Sequence, residues 1–461
     1  MILQHIYMPI FNFIYDKITY RIGDRVRNAI LLICFLGIFA AQFLSQYIFQ
    51  FEGFNRGIRD YLICLFFGVI LLASANKKLE IIKWRLNVYI PYTIAGLLIL
   101  VASFDHEMGP AYQAFPLVML TAFVCLFYIW GNRGDYKVLF NIIANAYMIF
   151  LSMFLLVLFV KYSYPDNIFS SSMDYGPMGI NPNGLAKIFV SGLVCAMYKV
   201  HTAECTKVKT LSAVLAGAFL MIVVITKCRS TYIVLALIAL CYAVVFLCER
   251  QDVKHQLINL FKYLAVGIFA AALSYCILTY VTPAISDALF PVDEQISTEM
   301  NEEVDTEAEE RMQIIREKIY SSYNYVYSNP VLAKLDEITS SRVKIWTVYF
   351  WNMSWRGESE LMFVDTEYAH NQYIELSYKA GIPTGIIYFI FVASVGVNLL
   401  INLFKKDRRK NYLYFQLLTY CVFAVVSMLD TGVLPFERAF IFMFYISAAP
   451  MFIKGKKDET K

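Results

Sequence analysis

Charge is what this 461-residue chain has least of. Asp, Glu, Lys and Arg supply 16% of it, against about 25% in an ordinary soluble domain. Hydrophobic residues supply 59% and the mean hydropathy is +0.55, which excludes the soluble globular classes. Cysteine is present but badly placed for chemistry. The ten cysteines fall almost all in apolar runs, none lies in the hydrophilic segment 282–379, and no Cys-x-x-Cys spacing occurs. A disulfide framework and a cysteine metal site are therefore excluded, and the thiols read as small buried hydrophobes. Nucleotide chemistry is missing too. There is no Walker A loop, GxSxG, HExxH or glycine-rich phosphate cradle, and no Asp pair spaced for a metal-bound nucleotide sugar. Neither ATP nor a soluble nucleotide donor is indicated. The opening "MILQHIYMPIFNFIYDKITYRIGDRVR" lacks a basic n-region and a small-residue cleavage site, so a cleavable signal peptide is not expected. It reads as an interfacial amphipathic stretch, or as a plain cytosolic tail. No internal repeat is visible.

What the chain does have is apolar runs of about 20 residues, each long enough to cross a hydrocarbon core. They lack the alternation of barrel strands, so the expected fold class is an all-α polytopic membrane protein. Twelve spans are expected, near 28–48, 60–75, 88–104, 114–131, 138–160, 184–200, 209–226, 231–248, 261–281, 380–404, 412–429 and 437–454. With the N-terminus inside, the short cytoplasmic segments and the span ends beside them carry 25 Lys and Arg, and the short external ones only six. "KKDRRK" at 405–410 is the strongest anchor. This asymmetry predicts both termini in the cytoplasm. The chain then divides into spans one to nine with the N-terminal stretch (1–281), one large external loop (282–379), and spans ten to twelve (380–461). Residues 282–370 hold 17 Asp and Glu against 7 Lys and Arg. A loop so long is functional or disordered. Its charge spacing after residue 299 and the aromatic spacing of "SSRVKIWTVYFW" predict short helices over the membrane domain, with Trp346 and Phe350 on one face. The acidic run itself reads first as a solvated surface.

Four features gather on the expected external side. "GINPNGLAKIFV" offers Asn181 as an N-cap and Pro182 as the first helical residue, with Asn183 and Lys187 following. A helix N-terminus favours anions, phosphate above all, although an ordinary capped helix start has the same features. "TKCRSTYIV" puts Lys227 and Arg229 in a tight external turn against the positive-inside trend. Charge at such a place calls for an anionic partner, an internal carboxylate or a ligand phosphate. "SSRVKIW" sets Arg342 and Lys344 in an acidic loop, and equally fits a surface helix with a stray arginine. "YAHNQYIELSYKAGIPTG" brings His370 and Asn371 ahead of Tyr373, Glu375, Gly381 and Gly385. Histidine is the side chain that exchanges a proton near neutral pH, though a lone histidine at a membrane edge is commonly just a polar tip. Asp430, Glu437 and Arg438 lie in the last external loop and close the group. Together the cations and the outward helix N-terminus describe a site for a membrane-embedded anion, with a histidine beside it.

The order of these elements resembles the O-antigen polymerase and O-antigen ligase superfamily of bacterial membrane glycosyltransferases. The resemblance covers roughly residues 180–400. "NPNGLA" opens a middle span, "KCRSTYIVLAL" forms a tight turn two spans later, and "SSRVKIW" sits in the long loop. "HNQYIELSYKAGIPTGIIYF", leading into the next span, is the most specific element. The family's small-Arg-Gly turn is here Cys228-Arg229-Ser230, without its glycine. The resemblance implies a GT-C-like, inverting, metal-independent enzyme with no cofactor. It transfers a glycan from a polyprenyl-diphosphate carrier to an acceptor hydroxyl. By position, Arg229 and Arg342 would hold the diphosphate and His370 would serve as base. Asn371, Tyr373 and Glu375 would contact sugars or orient the acceptor. The implied partners are lipid-linked oligosaccharide donor and acceptor, the bilayer of the bacterial cytoplasmic membrane, a chain-length regulator and a flippase, with no nucleic acid. The long loop favours a polymerase of O-antigen or capsule type over a ligase, which differs only in its acceptor. A lipid-linked oligosaccharide flippase is the reading from another class; its binding groups would be expected near the bilayer midplane.

Overall fold

The computed structural model describes residues 2–47, 56–105, 110–164, 175–177, 180–248, 253–289, 306–339, 341–358, 369–404, 412–430 and 436–454. Basic anchor 405–410, the most acidic stretch 290–305 and residues 359–368 lie outside them. In chain order the helices are α1 Ile2–Lys17, α2 Asp24–Tyr47, α3 Arg56–Ser74, α4 Leu86–Asp105, α5 Pro110–Val118, α6 Val124–Arg133 and α7 Tyr136–Lys161. They continue as α8 Pro182–Thr202, α9 Thr206–Ile225, α10 Arg229–Cys248, α11 Val253–Cys276, α12 Thr282–Leu289 and α13 Thr306–Ser328. The set ends with α14 Pro330–Ile338, α15 Arg342–Trp351, α16 Gln372–Ala380, α17 Ile382–Phe404, α18 Tyr412–Leu429 and α19 Ala439–Ser447. The only pairing of strand type among the described residues is an antiparallel bridge between Trp84 and Ile453.

Nine stretches among the described residues are long and apolar enough to cross a membrane. They coincide with nine of the twelve expected spans. At the second and eighth expected spans the structure has α3, 19 residues with an Arg59–Asp60 pair in its first turns, and α10, 20 residues and apolar through to Cys248. The stretch 437–454 holds the nine-residue α19 and a 3-10 turn, Ala449–Phe452, buried from Phe440 to Ile453. It runs from Phe436, held by Gln42, to Lys454, which donates to Lys83 O. A helix apolar on every side belongs inside a bundle. Phe442 of α19 accordingly packs its ring against Phe35, Phe39, Phe67 and Phe123.

Two spans are bent where proline falls. α5 contains Pro116 and passes into a π turn at Met119–Phe123 before α6 resumes. A π turn displaces carbonyls from their usual partners. Here Met119 O accepts from the Tyr92 hydroxyl at 2.6 Å and Thr121 O from the Tyr7 hydroxyl at 3.1 Å. The second π turn, Ile277–Val281, precedes Pro283 and lets α11 run on as α12 to Leu289, past the expected edge at 281. Span ten also starts later than expected, at Ile382, because Gly381 breaks α16 from α17 with φ +89°.

Buried cations hold the opposite end of the bundle. Arg27 is 2% exposed and donates to Ala73 O, Ala75 O, Thr19 O and Ile22 O at 2.7–3.1 Å. It thereby satisfies carbonyls that the end of α3 leaves free. α9 and α11 meet backbone to backbone, since a Cβ on Gly217 would lie 2.0 Å from Gly267 O.

The hydrophilic segment does form helices. α13 packs on α14 and α15, and α15 on α16. A small core of Ile345, Val348, Tyr349, Ala369 and Tyr378 joins them. The packed face of α15 is thus Ile345, Val348 and Tyr349. Trp346 is half-buried and its indole donates to Ala369 O at 2.8 Å, whereas Phe350 is exposed.

Candidate functional site at the α8–α18–α19 end

The start of α8 forms as its sequence dictates. Asn181 is extended at ψ 128°, and its side chain accepts from Asn183 N at 2.8 Å, with Pro182 in the first turn. The Asn181 oxygen is therefore committed to its own helix, and Asn183 is exposed. Lys187 lies farther along α8 and is 6% exposed. A cation so enclosed needs an opposite charge. It has one in Asp430, just past the end of α18. The same carboxylate oxygen accepts from Arg438 Nη1 at 2.7 Å. Arg438 directly precedes α19, so this triad ties three helix ends together.

Beside the triad lies a cavity of about 30 Å³. Phe39 and Phe43 of α2, Tyr147 and Phe150 of α7, and Gly184 and Ile188 of α8 line it, with Lys187 and Arg438 contributing charge. Gln42 donates to Phe436 O at 3.0 Å and so fixes the turn that presents Arg438.

The His-Asn element docks on the same end. Asn371 caps α16 by accepting from Tyr373 N at 3.0 Å and Ile374 N at 3.1 Å. Its amide donates to Met428 O at 3.2 Å, and the Tyr373 hydroxyl pairs with Ser427 Oγ at 3.1 Å. Both contacts reach the last turn of α18, two or three residues before Asp430. Burial pushes the Tyr373 phenol up to about 12, with the Ser427 bond opposing the shift. It stays protonated at neutral pH and acts as a hydrogen-bond group. His370 precedes the cap at φ +47°, in the left-handed region that a non-glycine residue enters only when its surroundings demand it. On one side the demand is the Asn371 cap, and on the other the Trp346 bond to Ala369 O. Glu375 is turned elsewhere and pairs with Lys379 on its own helix.

The remaining cations approach from α15 and the α9–α10 turn. Ser341 stands at φ +67° and does not cap α15. Asp336, 3% exposed, does so from α14, accepting from Lys344 N at 2.9 Å. This sets Arg342 at the first position of α15, where burial lowers its guanidinium from the ordinary value and the Cys228 thiol opposes that shift. Lys187 in turn lies within Coulombic range of Arg438, Cys228 and Arg342. Arg342 and the Cys228 turn thus lie near enough to act on the charge of the Lys187–Asp430–Arg438 triad. In that turn Lys227 is half-buried at φ +53° and Arg229 is exposed at the start of α10.

The expected site residues thus sort into three sets. Lys187, Arg438 and Arg342 converge, and His370, Asn371 and Tyr373 dock beside them. Asn181, Asn183 and Glu375 serve helix starts and a local pair. The sequence reading placed Asp430 at the rim without seeing that it is the shared counter-ion. The signal was Lys187 itself, a cation among apolar neighbours that must own a carboxylate. Among the described residues no group of three or more His, Cys, Asp or Glu is arranged to hold a metal ion. No protein-family model, curated protein or solved structure matches the chain.

Proposed function

We propose that the chain is a membrane glycosyltransferase of the polysaccharide-polymerase type. In this reading it moves a glycan from a polyprenyl-diphosphate donor to a hydroxyl of a second lipid-linked repeat unit. One observation supports it above the others: Lys187, Arg438 and Arg342 converge at one end of an apolar bundle, where the His370–Asn371 element is docked. A site for a phosphate whose carrier stays in the bilayer needs this combination. Positive-inside asymmetry puts that end outside the cytoplasm.

The chemistry balances with these residues. The anomeric carbon loses its bond to the donor's diphosphate oxygen and gains one to the acceptor oxygen. The acceptor's proton passes to His370, and the diphosphate leaves on its polyprenyl carrier. Cations fixed where charge develops on the leaving diphosphate lower the barrier. Attack from the opposite face inverts the anomeric configuration. Asp430 holds Lys187 and Arg438 in place until the ligand's anion competes for them. Arg229, exposed at the rim, is suited to first capture of the headgroup.

The test is glycan chain length in cells lacking the gene, complemented with wild type, His370→Ala, Arg342→Ala or Arg229→Ala at matched protein levels. Long chains with wild type, and single outward-facing lipid-linked units with the variants, are expected. Single units held on the cytoplasmic leaflet would indicate a flippase. Long chains stranded on their lipid carrier would indicate a ligase.

A further inference from the structure

Large aromatic side chains, tryptophan among them, are highly buried on average. Yet Phe350, Trp351 and Trp355 are 57%, 52% and 75% exposed, within six residues of one another. Trp351 also packs against Tyr325 of α13, with ring centroids 5.1 Å apart and planes tilted by 55°. The depth of this cluster along the bundle is fixed by backbone contacts. Ile382 N donates to Ser354 O at 3.0 Å and Glu358 N to Tyr378 O at 2.8 Å. A Cβ on Gly381 would stand 2.3 Å from Trp355 O. The Trp355 turn therefore lies against the α16–α17 corner, at the first residue of a membrane-length helix. Just beyond it α17 exposes Ile386, Phe389 and Ile390, the stripe that faces lipid. This is the level of the polar headgroups, where tryptophan concentrates because its ring is apolar and its N–H is not. The neighbouring α14 exposes Val331, Leu335 and Ile338, spaced four and three apart on one helical face. An exposed apolar stripe on a polar helix is the mark of an element that lies in an interface.

We infer that the Phe350–Trp351–Trp355 face is a bilayer-docking surface. It is inserted at the headgroup–acyl boundary and anchors α13–α15 to the membrane as a supported layer. The occupant is the lipid surface itself. This inference stands apart from the proposed activity, since it requires only that α17 crosses the bilayer.

The experiment uses full-length protein in liposomes of phosphatidylethanolamine and phosphatidylglycerol, with wild type compared to Trp351→Phe and Trp355→Phe. The chain has five tryptophans, so each substitution removes a readable share of the emission. The removed component is expected to be strongly quenched by lipids brominated near the headgroup and shielded from aqueous acrylamide. Shielding should vanish in Trp355→Glu, with the 352–358 turn becoming open to added protease. Four results would overturn the inference. One is a component open to acrylamide in liposomes and blind to brominated lipid. Another is shielding that appears only with added oligosaccharide, which would make the face a sugar platform. A third is shielding that rises with protein-to-lipid ratio, which would make it a contact between copies. The last is a Trp355→Glu turn as protected as wild type.

Discussion

Removing the Asp430 carboxylate should cost more than any surface change, and the cost can be worked from burial. Lys187 is 6% exposed and Asp430 9% exposed. Loss of one partner from a buried ion pair leaves a desolvated charge and costs about 3–5 kcal/mol. Asp430→Ala should therefore lower stability by roughly that amount. Asp430→Asn keeps the volume and a hydrogen-bond acceptor, so it should fall short of it. Arg438 is a third exposed and can turn to water, so Arg438→Ala should cost only about 1 kcal/mol, the upper part of the range for exposed pairs. The decisive variant is the double one, Lys187→Met with Asp430→Leu. Replacing a buried pair by apolar side chains is often close to neutral. The double variant should thus be more stable than Asp430→Ala alone, with a coupling of at least about 1 kcal/mol. The assay is equilibrium unfolding of the purified protein in mixed micelles of increasing denaturing detergent. Additive single and double costs would refute the pairing. So would an Asp430→Ala protein within about 0.5 kcal/mol of wild type, the spread of an ordinary surface substitution.

Other consequences are as direct. Asn371→Ala loses the cap of α16, worth about 1 kcal/mol, and the bond to Met428 O. It should shorten glycan chains at unchanged protein level, and Asn371→Ser should restore stability but not chain length. Gly381→Ala puts a Cβ against the Trp355 carbonyl at φ +89° and should destabilise by more than about 1 kcal/mol, read as faster proteolysis at the α16–α17 corner. Arg27→Met removes four hydrogen bonds, although Thr19 O keeps Ile22 N and Ala75 O keeps the Thr19 hydroxyl; it should cost about 2 kcal/mol or more, seen as reduced accumulation, and Arg27→Lys should rescue little, since an ammonium lacks the planar fork. Gly217→Val must part α9 from Gly267 and should lower the unfolding midpoint, whereas Gly68→Val, with open space around it, should not.

Local rules made some of this structure readable. Asn181 with Pro182 reads as a capped helix start and appears as expected. Most spans were legible because hydropathy over about 20 residues is a local quantity. What failed was non-local. Asp430 is 243 positions from Lys187, and nothing near either names the other. The cap of α15 comes from Asp336, across a helix boundary, a contact nothing in the local sequence names. The stretch 437–454 has the hydropathy of a span, and composition does not encode that its neighbours rather than lipid surround it. Gly381 was seen as part of a motif, but its role as a break between two helices depends on the Trp355 turn packed against it.

The enclosure of α19 bears on how the protein is made. Its rings lie among those of α2, α3 and the π turn before α6, and the segment after it pairs with residues 83–85. All those partners leave the ribosome hundreds of residues earlier. Until α19 arrives, the early helices must wait in the bilayer around an unfilled centre. After those helices are in place, a short apolar segment must leave the insertion machinery sideways and enter a ready-made slot. A chain interrupted before residue 439 would then be inserted yet never consolidated, and would be a natural target for membrane proteases. Consolidation of the bundle is therefore keyed to the emergence of α19, with Arg438 and its carboxylate partner brought together only then.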